Sequence, residues 1–137
     1  MLELHSNYLS TLPSFLVFFA VVVVLLTLFT VVYVAVTPHK EFALIRAGNT
    51  AAAVSLSGAV IGFVLPLASV IVNSLNLIDT LVWGAVALVV QIMVFLIARV
   101  LIPGLPKAIE EGQVATAWML AAFSIAVGVL NAACMTY

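Results

Sequence analysis

The sequence predicts an all-α integral membrane protein: four transmembrane helices, built as two tandem two-helix repeats in parallel orientation. Three observations predict it. Four apolar runs, roughly Ser14–Val36, Thr50–Val72, Thr80–Ile102 and Val114–Met135, are each long enough as helices to cross the about 30 Å hydrocarbon core of a bilayer. All four basic residues, Lys40, Arg46, Arg99 and Lys107, lie in or beside the first and third polar breaks between those runs. At 66% hydrophobic and 7% charged residues, the chain has too little polar surface to cover a soluble globule.

The repeat is read from the breaks. Ile45, Gly48, Ala51 and Ala53 recur as Ile109, Gly112, Ala115 and Ala117, and Asn49 is matched by Gln113, an amide for an amide. Residues 1–137 thus form a single membrane domain, with 14–72 the first two-helix repeat and 80–135 the second. Each repeat crosses twice, so both insert the same way up and any internal pseudo-two-fold axis lies along the membrane normal.

Span one follows a leader, Met1–Pro13, that lacks the Lys or Arg of a secretory n-region, so it reads as a retained span and not as a cleaved signal. Basic short loops stay in the cytoplasm, which puts both termini in the periplasm. In the first break Thr37-Pro38 reads as a helix start, Thr as cap and Pro at the first position, giving a short surface helix over Pro38–Ala47. Gly48 ends that helix, and Asn49 caps span two.

Span two carries Ala51, Ser55, Gly58 and Gly62 on one helical face, and span four repeats the device with Ala117, Ala121, Ser124 and Gly128. Such faces let backbones approach closely, which replaces the hydrophobic drive between helices in lipid. Spans two and four are therefore the expected packing core and an oligomer seam, with spans one and three facing lipid. Pro66 predicts a kink or an early end of span two. The third break, with Pro103 and Pro106, leads through Gly112 to Gln113, a poorer cap than Asn49.

Candidate functional residues are the polar groups at or near membrane depth: Glu41, Arg46, Asn49, Gln91, Arg99, Gln113 and Asn131. Asn49 and Gln113 either finish helix ends or cradle a lipid headgroup or anion. Gln91, near the middle of span three, is either a hydrogen-bonding tie between helices or a ligand for a solute. Arg99 either snorkels to the interface or pairs with Glu41, Glu110 or Glu111.

Several function classes are excluded. A formal charge of -1 offers no basic field for nucleic acid. No carboxylate, Lys or His falls near the expected bilayer centre, so a proton relay is not expected. His5 and His39 lie at opposite ends of span one and cannot share a metal. The single Cys134 permits neither an intrachain disulfide nor a Cys-based metal site. No nucleophile, base and orienting group converge, and no phosphate-binding Gly loop is present, so neither enzyme activity nor a cofactor is expected.

The stretch from Thr37 to Ala53, with its Glu41-Phe42-x-Leu44-Ile45-Arg46-x-Gly48-Asn49-x-Ala51-Ala52 string, followed by Gly58–Gly62 and Pro66–Ser69, resembles the bacterial inner-membrane family known as domain of unknown function three-fifty, the YjfL-like proteins. The resemblance covers nearly the whole chain, including Trp83-Gly84 and Gln91. The second half departs from the string, with Glu110 in place of Arg46 and Gln113 in place of Asn49. The resemblance implies a small multi-spanning inner-membrane protein of unknown activity. Its gene neighbourhoods, with phage-shock-like membrane-surface proteins and ATP-grasp ligase-like enzymes, hint at envelope maintenance. It supplies no catalytic residues to carry over.

The function expected from these readings is a self-associating structural or partner-binding subunit of the bilayer, a homo-oligomer that offers its cytoplasmic segments to a peripheral membrane protein or to lipid. The alternative is an oligomeric channel or facilitator for a small solute or ion, with Gln91, Ser57 or Asn131 along a path between protomers.

Overall fold

The computed structural model describes residues 2–135, apart from the side chains of residues 4–6, so the reading of His5 lies outside the described residues. Among the described residues six helices follow one another: α1 (Leu2–Val36), α2 (Glu41–Arg46), α3 (Thr50–Asn73), α4 (Leu77–Leu101), α5 (Leu105–Glu110) and α6 (Val114–Cys134). Four stretches within them, Asn7–Val36, Thr50–Asn73, Leu77–Leu101 and Val114–Cys134, are long and apolar enough to cross a membrane. α2 and α5 are the short segments of the first and third breaks.

Two boundaries differ from expectation. α1 is continuous through Pro13 and has 35 residues, about 52 Å at 1.5 Å per residue, so it outruns the hydrocarbon core. α2 starts at Glu41 and not at Pro38. Thr37 belongs to the end of α1: its N–H donates to Tyr33 O at 2.9 Å and its hydroxyl to Val34 O at 3.1 Å. Pro38 has no N–H to offer Val34 O, so the Thr37 hydroxyl serves that carbonyl and the helix stops there.

The core is the α3–α6 pair. All eight small-face residues, Ala51, Ser55, Gly58 and Gly62 with Ala117, Ala121, Ser124 and Gly128, are buried. A Cβ on Gly58 would stand 2.5 Å from Ala121 Cα, one on Gly62 would stand 2.7 Å from the Ser124 carbonyl carbon, and one on Gly128 would stand 2.9 Å from Gly62 Cα. These contacts advance together along both helices and continue to Ser69, whose hydroxyl donates to Ala132 O at 3.0 Å. The small faces are thus consumed inside the chain, and they are not the free oligomer seam the sequence suggested.

α3 runs through Pro66 to Asn73, without the early end anticipated. Pro66 cannot donate to Gly62 O, the carbonyl one turn before it. That oxygen faces Gly128, where any side chain would meet it. The missing donor and the missing Cβ thus coincide at one crossing, a setting in which Cα–H groups approach carbonyls closely.

α4 buries one face, Gly84, Ala87, Gln91, Val94, Phe95 and Ala98, and leaves the other open. Among its described side chains α1 buries only Leu25, Phe29 and Tyr33, at i, i+4 and i+8. Leu25 fits into the space left by Gly84, the Phe29 and Phe63 rings stack at 4.5 Å, and Tyr33 meets the edge of Phe95 at 5.7 Å. α1 is therefore outward-facing as expected, whereas α4 is half inside the bundle.

Candidate functional site: a charged platform over a buried histidine and glutamate

α2 and α5 end in the same way. After α2, the Gly48 N–H donates to Ile45 O and the Asn49 N–H to Leu44 O, both at 2.9 Å. After α5, the Gly112 N–H donates to Ile109 O and the Gln113 N–H to Ala108 O, both at 3.0 Å. This double bond pattern needs a left-handed residue, supplied by Gly48 at φ 87° and Gly112 at φ 80°.

Asn49 does more than cap. Its Oδ1 accepts from the Ala52 N–H at 3.0 Å, as a helix cap should, and its Nδ2 donates to Ile109 O at 2.9 Å and Glu110 O at 3.3 Å. One side chain thus starts α3 and also clamps the end of α5, adding a second bond to Ile109 O, which already accepts from the Gly112 N–H, and one to Glu110 O. Gln113 has no matching role: it makes no capping bond and is exposed. The clamp gathers Lys40, Arg46, Lys107, Glu110 and Glu111, all exposed, onto one end of the bundle. Arg46 reaches back only to Phe42 O, at 3.4 Å. Arg99 is exposed near the end of α4, and the tie to Glu41 offered for it does not form.

Glu41 is instead held by His39, Nε2 to Oε1 at 2.8 Å, with both side chains fully buried. The chain bends over residues 37–39 before α2 starts at Glu41, and its side chains alternate in burial: Thr37, His39 and Glu41 are buried, while Pro38 and Lys40 are exposed. His39 lies edge-on to Phe95 at 6.2 Å. Phe95 is six residues before the end of α4, about 9 Å along its axis, so the pair is sunk into the bundle. Burial pushes the Glu41 carboxyl above its ordinary value, and the bond and charge of His39 pull the other way without cancelling it. Glu41 Oε2, His39 Nδ1 and the Tyr33 hydroxyl are buried without a protein partner.

Sequence reasoning placed Glu41 at the charged surface and missed His39 and Tyr33 as its company. The usable signal was the alternation Thr-Pro-His-Lys-Glu, with polar residues at every second position directly after an apolar span. Gln91 sits between α3 and α4, 3% exposed, its Oε1 3.3 Å from where a Cβ of Gly62 would be. It faces span two, inside the chain, and so does not line a path between protomers; neither of its amide atoms has a protein partner. Asn131 is half-buried in α6 with its Nδ2 similarly unpartnered. Ser57 is exposed, and Cys134 is an exposed free thiol.

Residues 7–135 match the model of the family described as Domain of Unknown Function (DUF350). The chain belongs to that family. It is 36% identical over 131 residues to the UPF0719 inner membrane protein YjfL of Escherichia coli strain K12, an alignment that covers 96% of this chain and 99% of the relative. The protein of the same name from Escherichia coli O157:H7 matches with the same identity and coverage. No solved structure matches. Membership accords with the resemblance read from Thr37–Ala53 and from the residues beyond it.

Proposed function

We propose that this DUF350 protein is a multi-pass protein of the bacterial inner membrane: a self-associating structural or partner-binding subunit in envelope maintenance, without enzymatic activity. The observation that carries the reading is the Asn49 clamp, which fastens two charged segments distant in sequence into one platform. The names of the Escherichia coli relatives support the inner-membrane location. Concentration of Lys40, Arg46 and Lys107 at this end supports a cytoplasmic platform with both termini periplasmic. The recurrence of α2, Gly48 and Asn49 as α5, Gly112 and Gln113 supports a tandem duplication over residues 14–72 and 80–135.

Because the small-residue faces are used within the chain, self-association falls to the apolar outer faces. These are the open side of α1 and the groove between α4 and α6 lined by Met93, Ile97, Phe123 and Val127. The platform then offers mixed charge to a peripheral protein or to lipid headgroups. Crosslinking in native membranes tests both halves. Discrete oligomers, and a partner captured through Lys40 to Arg46, are expected. Monomers at every expression level with no captured partner would sink the reading.

A further inference from the structure

We propose that His39 and Glu41 form a proton-binding site whose occupancy holds the Thr37–Arg46 segment docked on the bundle. The geometry sets the charge count. The 2.8 Å bond between His39 Nε2 and Glu41 Oε1 requires one proton between them. With only that proton, the pair carries a net negative charge while fully buried beside the Phe95 ring. An uncompensated charge in such surroundings is costly.

Among the described residues no cation supplies the compensation. On the same segment Lys40 is exposed, and Arg46 is exposed and turned to Phe42 O. From α4 the facing group is the uncharged Phe95 ring, and Arg99 is exposed; from α5, Lys107 is exposed; from α1 the facing group is the Tyr33 hydroxyl. α3 carries no Asp, Glu, Lys, Arg or His. The remaining way to neutralise the pair is a second proton, either on His39 Nδ1 or passed along the bond so that Glu41 is a neutral acid. Both atoms that could receive or release it, His39 Nδ1 and Glu41 Oε2, are without protein partners. The two placements belong to the pair and not to either residue.

Linkage fixes the direction. The docked state holds the Glu41 proton above the ordinary value of 4.5 because burial disfavours the carboxylate. Docking is therefore favoured at low pH and weakens as pH rises through the docked value. Loss of the proton leaves a buried anion, which is relieved when His39 and Glu41 swing out to water and carry α2 with them. Leu44, half-buried against the core from α2, reports that motion.

The test uses the full chain with Cys134→Ser and Leu44→Cys in liposomes, labelled with a neutral thiol reagent. Its rate is divided by that of the exposed position in Lys107→Cys, to remove the chemistry of the thiol itself. Above the ordinary carboxylate value of 4.5 the normalised rate is expected to rise with pH, by at most about tenfold per pH unit for one proton per opening, and to level off above the docked value. Glu41→Gln keeps an oxygen to accept the His39 bond but cannot ionise, so its rate should stay low and flat. A flat rate without the Glu41 change, or an unaltered slope in Glu41→Gln, would overturn the proposal. If Glu41→Gln fails to accumulate, the titration with Glu41 intact decides by itself.

Discussion

The α3–α6 crossing can be broken by a single methyl group. A Cβ at Gly62 would fall 2.7 Å from the Ser124 carbonyl carbon, against the 3.4–4 Å of ordinary contact, and the obstacle is backbone, which has no rotamer to change. Gly62→Ala therefore requires the helices to part by nearly 1 Å, at a cost of about 1–3 kcal/mol or more, the range for overpacking a filled core. Gly128→Ala pushes on the same crossing from the other side, against Gly62 itself. Gly84→Ala is the internal control. Its new methyl would meet only Leu25 Cδ1, at 2.9 Å, the free end of a flexible side chain, so most of the strain is absorbed by a rotamer shift. The assay is reversible unfolding of the purified protein in mixed micelles. The expected order of loss is Gly62→Ala and Gly128→Ala well above Gly84→Ala. Equal stability of all three, or a larger loss at Gly84, would refute the reasoning.

Other outcomes follow from the site. Asn49→Ala loses both the cap of α3 and the clamp on α5 and should cost about 1–2 kcal/mol, whereas Gln113→Ala, which removes no bond, should be near neutral in the same unfolding assay. Gln91→Leu replaces buried amide atoms that have no protein partner, so it should leave stability unchanged or raise it by about 1–3 kcal/mol; flux in liposomes lost in that variant would restore the channel reading. Gly48→Val forces a left-handed backbone on a branched residue and should lower the amount of inserted protein by a cost of about 1–2 kcal/mol, whereas Arg46→Gln should keep normal abundance. Loss of complementation by Arg46→Gln at that abundance marks a binding role. With Cys134→Ser as background, Asn76→Cys should react with an impermeant reagent from the periplasm and Lys107→Cys only after permeabilisation; labelling of Lys107→Cys from outside would reverse the orientation.

The sequence by itself determined what depends on local composition. Runs of twenty or so apolar residues make helices long enough to cross a bilayer, Gly48 and Gly112 stand where a short helix turns, and Asn49 after such a turn is a good cap. The spacing of Gly58 and Gly62, and of Ala121, Ser124 and Gly128, likewise named the faces along which helices meet. Tertiary structure alone decided which partner each face received. Small faces attract any close backbone, and the fold gave them to each other inside one chain instead of to a second copy. The same holds for Glu41. Next to Lys40 and Arg46 in the chain it reads as a surface charge, but after the bend over residues 37–39 both His39 and Glu41 are buried, His39 edge-on to Phe95, while Lys40 stays outside. Burial of a carboxylate is a property of what packs around it, and the Phe95 ring that meets its partner His39 comes from a position that adjacency in sequence does not reveal.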